Sequence, residues 1–284
     1  MTDARRTEIL ARGLSFGEGP RWHDGAFWLS DFHRRVVERM EVDGTRRVVA
    51  ELDDMPSGLG WLPDGRLLVV AKKSRAIYRL EATGLTLHAD LSHIATYWCN
   101  DMVVDRHGRA YVGNYGAELS LEAPPTPATL ACVEPNGVAR AVGTPLLFPN
   151  GSVVTPDGKT LLVAETLGSR ISAFDIAPDG DLSRHRIWAP LESVPDGMCL
   201  DAEGAVWVAL PAAGQVLRVV EGGAVIDRVQ PTSDAPIACM LGGKDRRTLL
   251  VLTAPLAKSL DDLVGTFNAR AEITTVDVPG AGCP

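Results

Sequence analysis

Phe148-Pro149-Asn150-Gly151-Ser152-Val153-Val154-Thr155-Pro156-Asp157-Gly158-Lys159-Thr160-Leu161-Leu162-Val163-Ala164 is the stretch whose reading decides the fold. It holds an apolar run, an Asp-Gly turn and a second apolar run, which is the pattern of a β-hairpin. Val194-Pro195-Asp196-Gly197-Met198 through Val206-Trp207-Val208-Ala209 repeats it, and so does Gly58–Leu62, Pro63-Asp64-Gly65, Arg66–Ala71. Aligning the phrases places anchors at Glu18, Ser57, Asn100, Asn150, Asp196 and Ile237. Successive differences between those positions are 39, 43, 50, 46 and 41 residues. Six strand-rich units of that period predict an all-β fold, a six-bladed β-propeller spanning residues 1–284 as a single domain.

The second run of each unit is apolar almost throughout, as expected where neighbouring blades cover both faces. Third strands alternate more, and Arg170–Asp175 reads as half-buried. Turn signals recur too often for helices of 10–15 residues, and only Ala257–Val264 carries a weak helical pattern. Ring closure predicts that Thr7–Ala11 adds a strand beside Ala271–Val276. Two insertions, Gly116–Thr129 and Ala254–Ala269, break the rhythm; long loops on a rigid scaffold are common positions for a substrate lid.

Composition excludes several classes. Net charge is −8, which gives no electrostatic case for nucleic acid or an anionic membrane. No window approaches the roughly 18 unbroken apolar residues of a membrane helix, and the first residues lack the apolar core of a secretory signal. Five cysteines form no CxxC pair; Cys132, Cys199 and Cys239 fall in apolar runs and read as reduced, buried thiols of a cytoplasmic protein. The expected partner is a small-molecule substrate, with the protein a monomer or weak homo-oligomer.

In a propeller the first strand of each blade lines the central channel, so equivalent positions form a ring. Glu18, Asn150 and Asp196 would then present two carboxylates and an amide oxygen, a donor set suited to a hard dication. Asn100 is a fourth oxygen in phase, either a ligand or a substrate contact. Each of these residues is also at home in an ordinary turn, and the shared phase is what lifts the set above that reading. Glu165-Thr166 reads as structural, with Arg170 as partner, and Lys72-Lys73 as a solvated basic pair.

Phe16-Gly17-Glu18-Gly19-Pro20-Arg21-Trp22, Cys99–Asp105, Phe148–Gly151 and Pro195-Asp196-Gly197 resemble the gluconolactonase/regucalcin (senescence marker protein) family, whose relatives include luciferin-regenerating enzyme. The resemblance covers nearly the whole chain. It implies a six-bladed propeller and a metal-dependent, lactonase-like hydrolase. The cofactor would be one divalent metal ion on Glu18, Asn150 and Asp196, with Ca²⁺ foremost and Mg²⁺, Mn²⁺, Zn²⁺ or Fe²⁺ as alternatives. Asn100 takes the place of the substrate-contacting Asn, and Asp196 is expected to share ligand and proton-handling roles. One position departs from the pattern. Sugar-lactone members often carry Arg where this chain has Trp98, preceded by Tyr97. An indole favours a less polar or aromatic lactone over an aldonolactone. Glu118 is either a substrate contact or a solvated loop carboxylate. The competing functions are hydrolysis of another electrophile, such as a phosphotriester or activated ester, and a non-catalytic propeller that binds metal or a small molecule.

Overall fold

A computed structural model describes residues 4–118, 124–232, 235–257 and 259–282. Among these residues six sheets carry the fold, antiparallel except for one short edge strand. The first four are built wholly from consecutive strands. They begin at the inner strands Gly17–His23, Pro56–Trp61, Cys99–Val104 and Pro149–Val154. The fifth and sixth begin at Met198–Leu200 and Ala235–Gly242. The predicted propeller is what forms.

Closure follows the expectation and extends it. Glu8–Leu14 is the outer strand of the sixth blade, antiparallel to Ala269–Thr275, with Glu8 opposite Ile273 and Leu14 opposite Ala269. Just before it, Arg5–Arg6 runs parallel to Val225–Gln230 on the outer edge of the fifth blade. Arg5 Nε donates to Asp227 Oδ2 at 3.0 Å. The N-terminal segment thus ties the fifth blade to the sixth, and a two-residue pairing of this kind leaves no pattern in the sequence.

Second strands are buried along their length: Ala26–Asp31, Leu67–Ala71, Ala110–Asn114 and Val206–Leu210 have no exposed position. The third strand Arg170–Ile176 is more buried than its alternation predicts, because Ile171 through Phe174 are all covered. Ser172 tolerates this by hydrogen-bonding to Glu165. Between Ala254 and Ala269 the helical pattern becomes one short 3-10 helix, Leu260–Leu263, with a capping box from Ser259 to Asp262. Among the described residues no helix is long and apolar enough to cross a membrane.

Cys99, Cys132, Cys199 and Cys239 are buried free thiols, with Cys199 and Cys239 sulfurs 4.0 Å apart; Cys283 lies outside the described residues. Glu165 is fully buried and is held by Arg170 at 2.7 Å and by the Leu147 amide at 2.8 Å. Its carboxyl lies below the usual range: burial raises it, but the Arg170, Leu147 and Ser172 hydrogen bonds outweigh that. Arg170→Met would strand this carboxylate. We expect it to cost about 3 kcal/mol in denaturant unfolding while leaving turnover of the folded protein unchanged. A matching loss of kcat would reassign Glu165 to the chemistry.

Candidate active site at the propeller axis

Four of the six anchors take equivalent places, whereas Asp196 stands just before its inner strand Met198–Leu200 and Ile237 is the third residue of Ala235–Gly242. Glu18, Ser57, Asn100 and Asn150 are each the second residue of an inner strand. Beside each of them the pairing register slips by one residue, between Glu18 and Arg21, Pro56 and Leu59, Cys99 and Met102, and Pro149 and Ser152. The sixth blade slips likewise between Pro236 and Ala238. A bulge re-aims side chains that a regular ladder would point sideways.

The glycine after an anchor has a packing reason. A Cβ on Gly58 would stand 2.2 Å from the Met102 amide nitrogen, and one on Gly151 2.7 Å from the Asp196 carbonyl oxygen. Asn150-Gly151 is therefore not a turn but a strand segment pressed against the next blade. The ordinary-turn reading of this pair does not hold.

Glu18, Asn100, Asp101 and Asn150 are nearly inaccessible. Asn150 Nδ2 donates to Thr166 Oγ1 at 3.0 Å, and Thr166 Oγ1 donates on to the Pro195 carbonyl at 2.8 Å. This relay turns Asn150 Oδ1 away from the protein's donors. Asn150 Oδ1 and Asp196 Oδ1 are both buried without a hydrogen-bond partner. Asp196 as a residue is only partly buried, but that oxygen is sequestered. Buried polar atoms are ordinarily satisfied, so two orphan acceptors on side chains that hydrogen-bond each other call for a donor or a cation.

The electrostatics point the same way. Burial, then the charges of Asp196 and Asp101, push the Glu18 carboxyl well above its usual value; the Gly19 amide and Lys72 oppose this. Asp196 is pushed up to about 7 by burial, with Lys72 and the Asn150 amide opposing and Asp101 adding to the rise. Burial raises Asp101 as well, although Arg21, paired with it at 2.8 Å, opposes the rise. Two strained carboxylates and an amide oxygen, with no nitrogen or sulfur among them, have the donor chemistry of a hard divalent cation. Among the described residues no three His, Cys, Asp or Glu side chains gather as a metal cluster, at the axis or elsewhere, so the set rests on two carboxylates and an amide.

Tyr97, Trp98, Tyr115 and Glu118 line a cavity of about 180 Å³ with Ser259, Leu260 and Asp261. Both insertions thus contribute to one cavity wall. Tyr97 and Trp98 stack at 5.2 Å, and Lys73 Nζ stands 4.9 Å from the Trp98 ring centroid. Tyr115 links this cavity to the carboxylates, since Glu18 and Asp196 both raise its phenol, after burial as the main cause. Glu118 is exposed at the cavity rim, and Asn100 makes only a 3.5 Å contact from Nδ2 to the Pro149 carbonyl. A larger cavity of about 710 Å³ lies between the first two blades, lined by Glu51–Asp54, Lys73, Ser74, Tyr78 and Leu85. It holds none of the unpartnered oxygens, so its size does not make it the site.

Sequence reasoning missed a second ring. Phe32, Lys72, Tyr115 and Thr166 each follow the last residue of a second strand. Each donates its amide to the carbonyl two residues before an anchor: Phe32 to Phe16, Lys72 to Met55, Tyr115 to Trp98 and Thr166 to Phe148, at 2.9–3.1 Å. Lys72 is fully buried, which corrects its reading as a solvated residue. The shared phase after the second strand was the available signal. Trp98 falls with Phe16, Met55 and Phe148 in a third, largely apolar ring.

Residues 16–255 match the family described as the SMP-30/Gluconolactonase/LRE-like region. Regucalcin of Xenopus laevis is 31% identical over 270 residues, covering 87% of this chain and 85% of its own. The solved structure of luciferin-regenerating enzyme superposes with a TM-score of 0.83 at 19% identity, covering 96% of both chains. That of a calcium-binding protein, regucalcin, from Agrobacterium tumefaciens gives 0.82 at 22% identity, covering 100% of this chain and 99% of its own. With a closed six-bladed ring, in-phase oxygen anchors and a match over most of its length, the chain belongs to the SMP-30/gluconolactonase/LRE-like family.

Proposed function

We propose that this protein opens a small lactone by hydrolysis, with one divalent cation held by Glu18, Asn150 and Asp196. The observation that carries the reading is the pair of buried, unpartnered oxygens, Asn150 Oδ1 and Asp196 Oδ1, in a cluster with Glu18. A cation bound there would supply Lewis-acid polarisation of the ester carbonyl. Ca²⁺ suits the all-oxygen set, and the calcium-binding description of the Agrobacterium relative adds to that choice.

The chain's own residues do the rest. Tyr97 and Trp98 hold the substrate's apolar face, Asn100 offers an amide to its ring oxygens, and Glu118 stands at the entrance. As water adds to the carbonyl carbon it loses a proton, and as the ring C–O bond breaks the departing oxygen gains one. Asp196 is the residue placed to accept the first and return it, so a lactone and water give a hydroxy acid.

The test is a lactone panel assayed with chelator-treated protein, then after adding back Ca²⁺, Mn²⁺ or Mg²⁺. Turnover that is lost with the ion and returns with it is the expected result. If the ion binds and no lactone is opened, the lactonase reading falls, and turnover of a phosphotriester or activated ester then separates another hydrolase from a binding propeller.

A further inference from the structure

Lys72 has no exposed surface, which is unusual for a lysine. Its Nζ donates a hydrogen bond to the Tyr115 hydroxyl and lies 4.2 Å from the Phe32 ring centroid and 4.3 Å from that of Tyr115. No carboxylate forms an ion pair with it among the described residues. Aromatic faces compensate a cation only in part, and an ammonium out of water without a counter-ion is costly. Burial draws Lys72 down to about 8, and the charges that resist this most are Glu18 and Asp196.

Those two carboxylates are the charged members of the proposed cation set. Asp101, the third buried carboxylate nearby, is matched by Arg21. A dication balanced by Glu18 and Asp196 therefore leaves the Lys72 charge uncompensated, at short range in a medium of low dielectric. The missing partner is an anion. Tyr115 marks where it would sit. Its hydroxyl oxygen accepts from Lys72, so its own proton is free to donate, and it finds no acceptor among the described residues. The same residue lines the aromatic cavity.

We propose that Tyr115 in the cavity wall, backed by the buried Lys72, forms an anion-recognition subsite, selecting small organic carboxylates whose apolar or aromatic body rests against Tyr97 and Trp98. This deepens the hydrolase reading and rests on its cation: the new carboxylate of an opened lactone is one such group. The tyrosine hydroxyl, polarised by the ammonium, gives a charge-assisted bond that a neutral group of the same shape cannot match.

Calcium-loaded protein titrated with phenylacetate and with its neutral isostere phenylacetamide, followed by calorimetry, tests the idea without turnover. The wild type should bind phenylacetate at least fivefold more tightly than the amide. Lys72→Met should bring that ratio to about one and should also bind Ca²⁺ more tightly, because a repelling cation is gone. Tyr115→Phe, which keeps the ring, should lower the ratio part-way and decides the matter if Lys72→Met does not fold. An unchanged ratio in the folded variants, or no discrimination by the wild type, overturns the proposal. A wild type that selects the carboxylate yet opens no lactone keeps the subsite and removes the hydrolase reading.

Discussion

Asp196→Asn and Glu18→Gln should make the metal-free protein more stable at pH 8 while abolishing its stabilisation by divalent cations. Asp196 titrates from an ordinary value of 3.8 up to about 7 in the fold. A carboxyl with a raised folded value contributes its full stability below the unfolded value and loses it as pH climbs through the folded one. The window is therefore about pH 4 to 7, and stability falls across it. A rise of that size corresponds to about 4 kcal/mol, and Glu18 shifts in the same direction. The isosteric amides keep the shape and remove the charge, so each should raise the metal-free Tm at pH 8 by about 5–10 °C. The wild type should instead gain about 2.7 kcal/mol when Ca²⁺ stands at a hundred times its Kd. Neither amide variant should show that gain, and their Ca²⁺ affinity should fall at least a hundredfold. Asn150→Ala, which loses a neutral ligand, should fall less. Scanning calorimetry of the variants with chelator and with Ca²⁺ decides it. Amide variants that still rise with Ca²⁺ would sink the ligand assignment.

Trp98→Arg should move substrate preference towards polar lactones by about tenfold in kcat/KM, equivalent to about 1.4 kcal/mol. Trp98 stacks on Tyr97 and lines the cavity, where its ring offers an apolar face and one donor. Burying such a face against an apolar ligand contributes about 1–3 kcal/mol, and a guanidinium would exchange that for paired bonds to hydroxyls. The unaltered protein should therefore favour an aromatic or apolar lactone over glucono- or xylonolactone. Trp98 also packs against the core shared by the first, fifth and sixth blades, so a folding control is needed beside the kinetics. If the wild type already prefers sugar lactones, the argument from Trp98 fails.

Much of this was legible because a propeller converts phase into place. Glu18, Asn100 and Asn150 stand at one position of their inner strands, and the pairing of Glu8–Leu14 with Ala269–Thr275 follows from the need to close a ring. What escaped was the second use of the same logic. Lys72 sits beside Lys73 and reads as half of a solvated pair, since nothing local distinguishes a lysine at the end of a strand from one beyond it. Only comparison with Phe32, Tyr115 and Thr166, at the same step of other blades, assigns it to the axis. Thr166 escaped for a related reason: its part is to turn Asn150, and a positioning hydroxyl has no spacing signature. The glycines after the anchors left two readings open, because Asn-Gly in a strand and Asn-Gly in a turn are the same two letters; the shared phase favoured the strand, and the close packing of Gly151 bears that out.

The slip in register beside the anchors of the first four blades and the sixth has a consequence for how such a protein can change. A residue at an ordinary ladder position is tied to its neighbours on both strands, and replacing it disturbs the sheet. At the slip those ties are already broken, so the side chain aimed down the axis can be exchanged with little effect on the blade that carries it. Ser57 holds that position in the second blade with a small hydroxyl, and Asn100 in the third with an amide. The axis behaves as a set of interchangeable sockets in a fixed frame. Substituting the buried Ser57 by aspartate would add a further buried carboxylate, at a cost to the metal-free protein of the kind Glu18 and Asp196 already impose, and new specificities can arise one socket at a time.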